Sequence, residues 1–221
     1  LGSDQLNRWI IESRRRLSIT EYLSLLAIIV IIVKWGFIAG VLIGVVIGCA
    51  TFALSASRIS AIKFGFNGAE YRSSLDRSRH DLALLMAHGK EIHGLNLQSY
   101  LFFGSANRLY QHVRALLTHH PECRYLVFDF KLVTGIDSSA TYSFAQIKRA
   151  AIENGVKLVL VNLPRATEKM LRSGEFLSSD ILVMPELDHA LEWCENEIIA
   201  RYSAREQDDD DLQSWFTAIL G

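Results

Sequence analysis

At 221 residues the chain has room for one ordinary domain and a smaller unit. Its hydrophobic half is unevenly spread, much of it lying between Leu17 and Ser57, and a net charge of -1 without an aromatic-interleaved basic strip argues against nucleic acid as a partner. The three cysteines, Cys49, Cys123 and Cys194, have no paired spacing, which argues against a disulfide framework.

Arg14-Arg15-Arg16 precede an apolar run, the usual mark of a cytoplasmic flank. Tyr22–Val33 and Gly36–Ser57 are both uncharged and are separated by Lys34-Trp35. A straight helix of about 41 residues would reach near 60 Å, twice the ~30 Å hydrocarbon core, so the chain must turn, and Lys34-Trp35 is the place. A membrane helical hairpin is expected over residues 1–58, with Arg14–Arg16 and Arg58 on one side of the bilayer. Gly36, Gly40, Gly44 and Gly48 recur every fourth residue and form a row on the second helix. Such a row lets another membrane helix come close, which implies a helical partner in the lipid bilayer.

The remainder alternates strand and helix signals. Ile59, Ile62 and Phe64 mark a first strand, Tyr71–Ser74 a surface linker and Asp81–Ala87 a helix. Ile92–Leu97 and Tyr100–Phe103 read as two strands, followed by a helix with Ala106, Leu109, Val113, Leu116 and Leu117 on one face, capped by Ser105. Tyr125–Phe130 is a nearly unbroken apolar run, as expected of a strand covered on both faces. Ala140, Phe144, Ile147 and Ala151 share one face of the next helix, which closes at Asn154-Gly155. Leu158–Val161 is another buried strand, Pro164 opens a helix ending near Gly174, and Ile181–Val183 is a last short strand. Leu187, Leu191, Cys194 and Ile198 then mark a terminal amphipathic helix, and the Asp208–Asp211 run reads as a linker. This order predicts an α/β domain over 59–202, a mixed, partly parallel sheet with flanking helices. Residues 203–221 would hold the linker and, at Leu212, Trp215, Phe216 and Ile219, the start of a further segment.

No nucleophile-base pairing, glycine-rich phosphate loop or metal spacing is present, so no enzyme, cofactor or metal is expected. His119-His120-Pro121-Glu122-Cys123 is the nearest approach to a metal cluster and reads as a solvated loop. Asp129, inside the apolar strand, reads as a hydrogen-bonded structural residue. Asp137-Ser138-Ser139 stand at a helix N-terminus, where a hydroxyl caps unpaired N–H groups and the dipole favours an anion.

The strand, the Thr134–Ser139 turn and the following helix resemble the STAS domain, and Leu101–Leu109 resembles the segment leading into the first STAS helix of bacterial SulP anion transporters. With the hydrophobic hairpin before it, the chain resembles the C-terminal part of such a transporter. The resemblance implies a secondary active transporter of sulfate or a similar inorganic anion in the inner (plasma) membrane. The domain would be cytoplasmic, regulatory or assembly-directing, and associated with the remaining transporter helices and with a second copy as a homodimer. It also implies that Ser139 occupies the position phosphorylated in anti-sigma-factor antagonists, although Ala140 stands where a glycine commonly follows. Capping, phosphorylation, and binding of an anion or nucleotide at Asp137, Ser138 and Ser139 are three readings of the same turn. The alternative to a transporter is a membrane-tethered STAS signalling module that binds a partner protein or kinase.

Overall fold

The computed structural model describes residues 19–57, 60–174 and 176–220, and the chain divides into two compact units, Leu1–Arg58 and Ile59–Gly221. The basic residues Arg14–Arg16 and Arg58, and Ile59 at the expected strand start, lie outside the described residues.

In the first unit, α1 (Ile19–Trp35) and α2 (Phe37–Ser57) are separated by Gly36 alone. Gly36 has a φ of +88°, a conformation an L side chain resists, so a single residue can end one helix and start the next. Gly40 faces Ile32 and Gly44 faces Ile28, an order in which partners separate symmetrically about residue 36, so the two helices form an antiparallel hairpin. Val30, Val33, Ile38, Leu42, Val46 and Phe52 are exposed. Among the described residues no helix is long and apolar enough to cross a membrane. The break at Gly36 holds α1 to 17 residues, below the ~20 that a bilayer core asks for.

The second unit is a five-stranded sheet in the order β1-β2-β3-β4-β5. β1 (Ile62–Asn67) runs antiparallel to β2 (Ile92–Leu101), while β3 (Tyr125–Ile136), β4 (Lys157–Val161) and β5 (Leu182–Met184) extend the sheet in parallel. The parallel steps are made by α4 (Phe103–His119), α5 (Ser138–Glu153) and α6 (Arg165–Ser173). α3 (Arg79–His88) and a 3-10 turn (Gly89–Glu91) connect β1 to β2, and α7 (Leu187–Leu220) ends the chain. The Asp208–Asp211 run lies within the continuous helix α7.

Alternation along β3 sends its side chains into two cores. Leu126, Phe128 and Phe130 pack with Leu109 and Val113 of α4 and with Phe144 and Ile147 of α5. Tyr125 and Val127 pack with Leu85 of α3 and with Leu191, Cys194 and Ile198 of α7. Every one of these residues is buried, which is why the strand reads as an unbroken apolar run. The two short strands expected over 92–103 are one strand, β2, whose pairing with β3 shifts register between Asn96 and Gln98 and again between Ser99 and Tyr100. Ser99, at φ +66°, takes up that irregularity.

Asp129 is the polar exception within β3. Its carboxylate accepts from Asn96 Nδ2, Asn162 Nδ2 and the Lys131 N–H, each at 2.9 Å, joining β2, β3 and the residue after β4. Three donors offset the cost of burying the acid.

At the other end of the strands, His93 is buried on β2 and its Nδ1 has no partner among the protein atoms. The His120 ring lies 4.7 Å away and is itself joined to Glu122 at 3.0 Å. Burial, and secondarily the charge of His120, hold the His93 imidazole below its ordinary value of 6.5, with Glu122 pulling the other way. The unfolded chain therefore takes up a proton at a pH where the folded chain does not. The stability from keeping His93 neutral is full above about pH 6.5 and is lost as the pH falls below it towards the folded value. The melting temperature should be level from pH 8 to 7 and fall between pH 6.5 and 5.5, and His93→Gln should flatten that fall. An unchanged slope in the variant would place the titration elsewhere.

Candidate functional site

The parallel strands β2 and β3 end side by side, and each feeds a helix N-terminus. The Asp137 N–H donates to the Leu101 carbonyl at 3.0 Å, so the two strand ends are tied where the chain turns into α5. α4 starts beside it, with Ser105 Oγ accepting from the Phe102 N–H at 3.0 Å and donating back to the Phe102 carbonyl at 3.1 Å. Ser105 therefore acts inside the first turn and not at the cap position itself.

The cap of α5 is Asp137. Its Oδ1 accepts from the Ala140 N–H at 2.8 Å and from Ser139 Oγ at 2.7 Å, whereas Thr141 Oγ1 donates to the Ser138 carbonyl at 2.6 Å. The expectation that a serine hydroxyl caps the helix is thus corrected: Ser139 steadies the capping carboxylate, which has the stronger acceptor. Ser138 and Ser139 are both exposed, and Ala140 is fully buried against the core. With a carboxylate already at the positive end of the helix, a further free anion is less favoured there than at an uncharged N-terminus. Exposed Tyr100, Phe103, Leu132 and Tyr142 stand on these elements. Tyr100 lies over Gly135, where an added Cβ would come within 2.7 Å of its ring.

The turn brings together Asp137, Ser138 and Ser139, with the Ser139 hydroxyl donating to the same Asp137 oxygen that accepts from the Ala140 N–H. The glycine row belongs to the other unit. Gly40 and Gly44 lie against Ile32 and Ile28 of the same hairpin, Gly36 forms the break, and a Cβ added at Gly48 would meet nothing within 4 Å among the described residues. Among the described residues no three metal-binding side chains converge. His119 Nδ1 is 2.7 Å from the Ala115 carbonyl, and burial pushes the thiols of Cys123 and Cys194 up to about 12, keeping both protonated.

Sequence reasoning missed the polar clasp on α7. Arg201 Nη1 bonds Glu91 at 2.9 Å and its Nη2 bonds the Tyr125 hydroxyl at 2.8 Å, while Tyr202 donates to Glu91 and stacks on His88. Glu195 is likewise buried, held by Ser73 and Arg77. Separations of 76 to 122 positions leave no local pattern by which these pairs could be found.

The cap assignment separates two variants. Asp137→Ala should cost about 0.5–2 kcal/mol in urea unfolding of the sheet unit, and Ser139→Ala less than about 0.5 kcal/mol, because the Ala140 N–H keeps its acceptor. Equal losses would return the capping role to the serine.

Residues 86–190 match the family model described as STAS domain. The vacuolar basic amino acid transporter VSB1 of Saccharomyces cerevisiae is 28% identical over 212 residues, covering 91% of this chain and 20% of that protein. The chain thus spans about a fifth of the length of the curated relative it matches. Among solved structures, the murine Slc26a9 anion transporter in its inward-facing state aligns with a TM-score of 0.57 at 15% identity, over 89% of this chain and 31% of that one. A sulfate transporter family protein from Wolinella succinogenes aligns with a TM-score of 0.41 at 16% identity, over 50% of this chain and 88% of that one. The second unit of this chain contains a STAS domain.

Proposed function

We propose that the chain is part of a multi-pass secondary transporter, with α1 and α2 as a membrane hairpin and the STAS domain as a cytosolic element for assembly or regulation. The observation that carries this reading is the continuity of the likeness to a transporter, which takes in 91% of the chain and therefore both units. Two further features support it. The helices of the hairpin expose apolar side chains on several sides, which suits lipid and neighbouring helices better than water. In sequence, Leu17 before α1 and Ala53-Leu54 within α2 continue the apolar run towards the length a bilayer core needs.

The transported solute on this reading is a small charged one. An inorganic anion of the sulfate kind is the first choice, by the resemblance to SulP transporters. A basic amino acid is the second, by the sequence likeness to VSB1. The solute site would lie among membrane helices beyond these two, near the bilayer midplane. The remaining transporter helices, the lipid and a second copy are the partners this role requires, and the Asp137-Ser138-Ser139 turn is an exposed place on the STAS domain for a regulatory protein.

Uptake by the full-length protein in proteoliposomes tests the solute, with labelled sulfate and labelled arginine as the two arms. Accumulation of sulfate supports the first choice, accumulation of arginine the second, and uptake of neither sinks both. Topology tests the hairpin. In a Cys49→Ala background, Lys34→Cys should react with an impermeant thiol reagent applied to the non-cytosolic side, and Ser60→Cys should not. Equal labelling of the two positions would remove the membrane hairpin from the proposal.

A further inference from the structure

The connection between β1 and α3 has no regular secondary structure over residues 72–78, yet it is held closely along one face of α7. Ser73 gives its N–H and its hydroxyl to Glu195, at 2.7 and 2.6 Å. Ser74 does the same with Asp188, at 2.8 and 2.7 Å. Arg77 completes the attachment, with Nε 2.9 Å from Glu195 Oε2, Nη1 2.7 Å from Asn196 Oδ1 and Nη2 3.3 Å from the Glu192 carbonyl.

The two serines are not equivalent. The Ser73 hydroxyl faces Glu195, whose side chain is buried and shared with a guanidinium that is only 7% exposed. Ser74 and Asp188 form the outer half of the attachment, and Ser74 is exposed. Ser78, the next hydroxyl, is engaged as the cap of α3, accepting from the Asp81 N–H at 3.1 Å. Ser74 and Ser78 are both exposed hydroxyls of an irregular segment with Arg72, Arg77 and Arg79 in or beside it, but Ser78 donates to Asp81 within its own helix start, at 2.8 Å, whereas Ser74 bonds an acid of α7.

We propose that Ser74 is a phosphorylation site, and that its phosphate releases residues 72–78 from α7. The modifying enzyme is a serine kinase that reads basic flanking residues and uses ATP. The Ser74 oxygen bonds to the γ-phosphorus, the bond from that phosphorus to the bridging oxygen of the β-phosphate breaks, ADP leaves, and the hydroxyl proton passes to the kinase's base.

The product reverses the contact that holds the segment. A hydroxyl that donates to Asp188 becomes a group of about -1.5 to -2 charges that only accepts, set against Asp188 with Glu192 and Glu195 further along the same helix. Hydrogen bonding from Ser74 already holds the Asp188 carboxyl below its usual range, so the acid is ionised when the phosphate arrives. Release removes the Ser73 and Arg77 donors from Glu195 and opens the Asp188–Asn196 face of α7. Ser74 and Glu195 lie outside residues 86–190 and Asp188 lies within them, so the attachment ties a preceding segment to the end of the matched part of the STAS domain.

The test uses the full chain, treated with ATP and a serine kinase of basic specificity, with the modified residue mapped by mass spectrometry. Trypsin cleavage after Arg77 reads the release, because cleavage follows the population of the opened segment. Phosphate is expected on Ser74, and the phosphorylated chain and Ser74→Glu should both be cut about tenfold faster than the parent, with Ser74→Ala changed less than about threefold. Combining Ser74→Glu with Asp188→Lys should return cleavage to near the parent rate, by replacing repulsion with attraction. Phosphate found only at other residues, slower cleavage after modification, or a Ser74→Glu chain cut like the parent would each overturn the proposal. Failure of Asp188→Lys to restore protection would do the same.

Discussion

The sheet unit depends on burying β3 from both sides at once. Phe128 and Phe130 need α4 and α5, whereas Tyr125 and Val127 need α3 and α7, so neither layer of helices can be removed without exposing half of the central strand. A parallel strand in this position cannot be stabilised by one amphipathic face, because consecutive side chains point to opposite layers. The crossover helices are consequences of that demand. Each carries one apolar stripe, as in Ala140, Phe144, Ile147 and Ala151 of α5, and leaves its opposite face to water.

Burial of this kind carries a polar cost, and the chain meets it with a few well-supplied acids. Asp129 collects three donors from three successive segments, Glu91 is held by Arg201 and Tyr202, and Glu195 by Ser73 and Arg77. Buried carboxylates without such partners would be strongly unfavourable. These contacts also fix the place of α7, whose apolar residues alone would allow sliding along the sheet. His93 differs in kind: it is buried without a partner on Nδ1, and stays neutral to do so.

The exposed serines of the Asp137-Ser138-Ser139 turn owe their presentation to the same architecture. Tying Asp137 to Leu101 fixes the end of β3 against the end of β2, and burying Ala140 fixes the first turn of α5 against the core. Ser138 and Ser139 are left facing water between two rigid attachments. Ser139 donates to the carboxylate that caps the helix, and the Ser138 carbonyl accepts from Thr141.

Much of the domain was legible from the sequence because the signals were local and periodic. The apolar run at 125–130, the helical stripes of α4 and α5, the Asn154-Gly155 stop and the Pro164 start each reflect a rule acting over a few residues, and the structure places elements at all of them. The STAS resemblance of the Thr134–Ser139 turn was legible for the same reason. What failed was information held between distant residues. The strand over 92–101 looked like two, because its irregularity at Ser99 is set by pairing with β3, and pairing is not written in β2 alone. The capping atom was misassigned between neighbours because Asp137 and Ser139 are both good caps, and only the backbone path after Ile136, tied to Leu101, decides which of them reaches the Ala140 N–H. In the hairpin the sequence put the turn at Lys34-Trp35, which the structure keeps helical, and the break falls on the next residue, Gly36, because its positive φ is the conformation a glycine takes freely. That Gly40 and Gly44 face Ile32 and Ile28 was decided by the tertiary structure, because a row of small residues admits any close neighbour and only the fold supplies one.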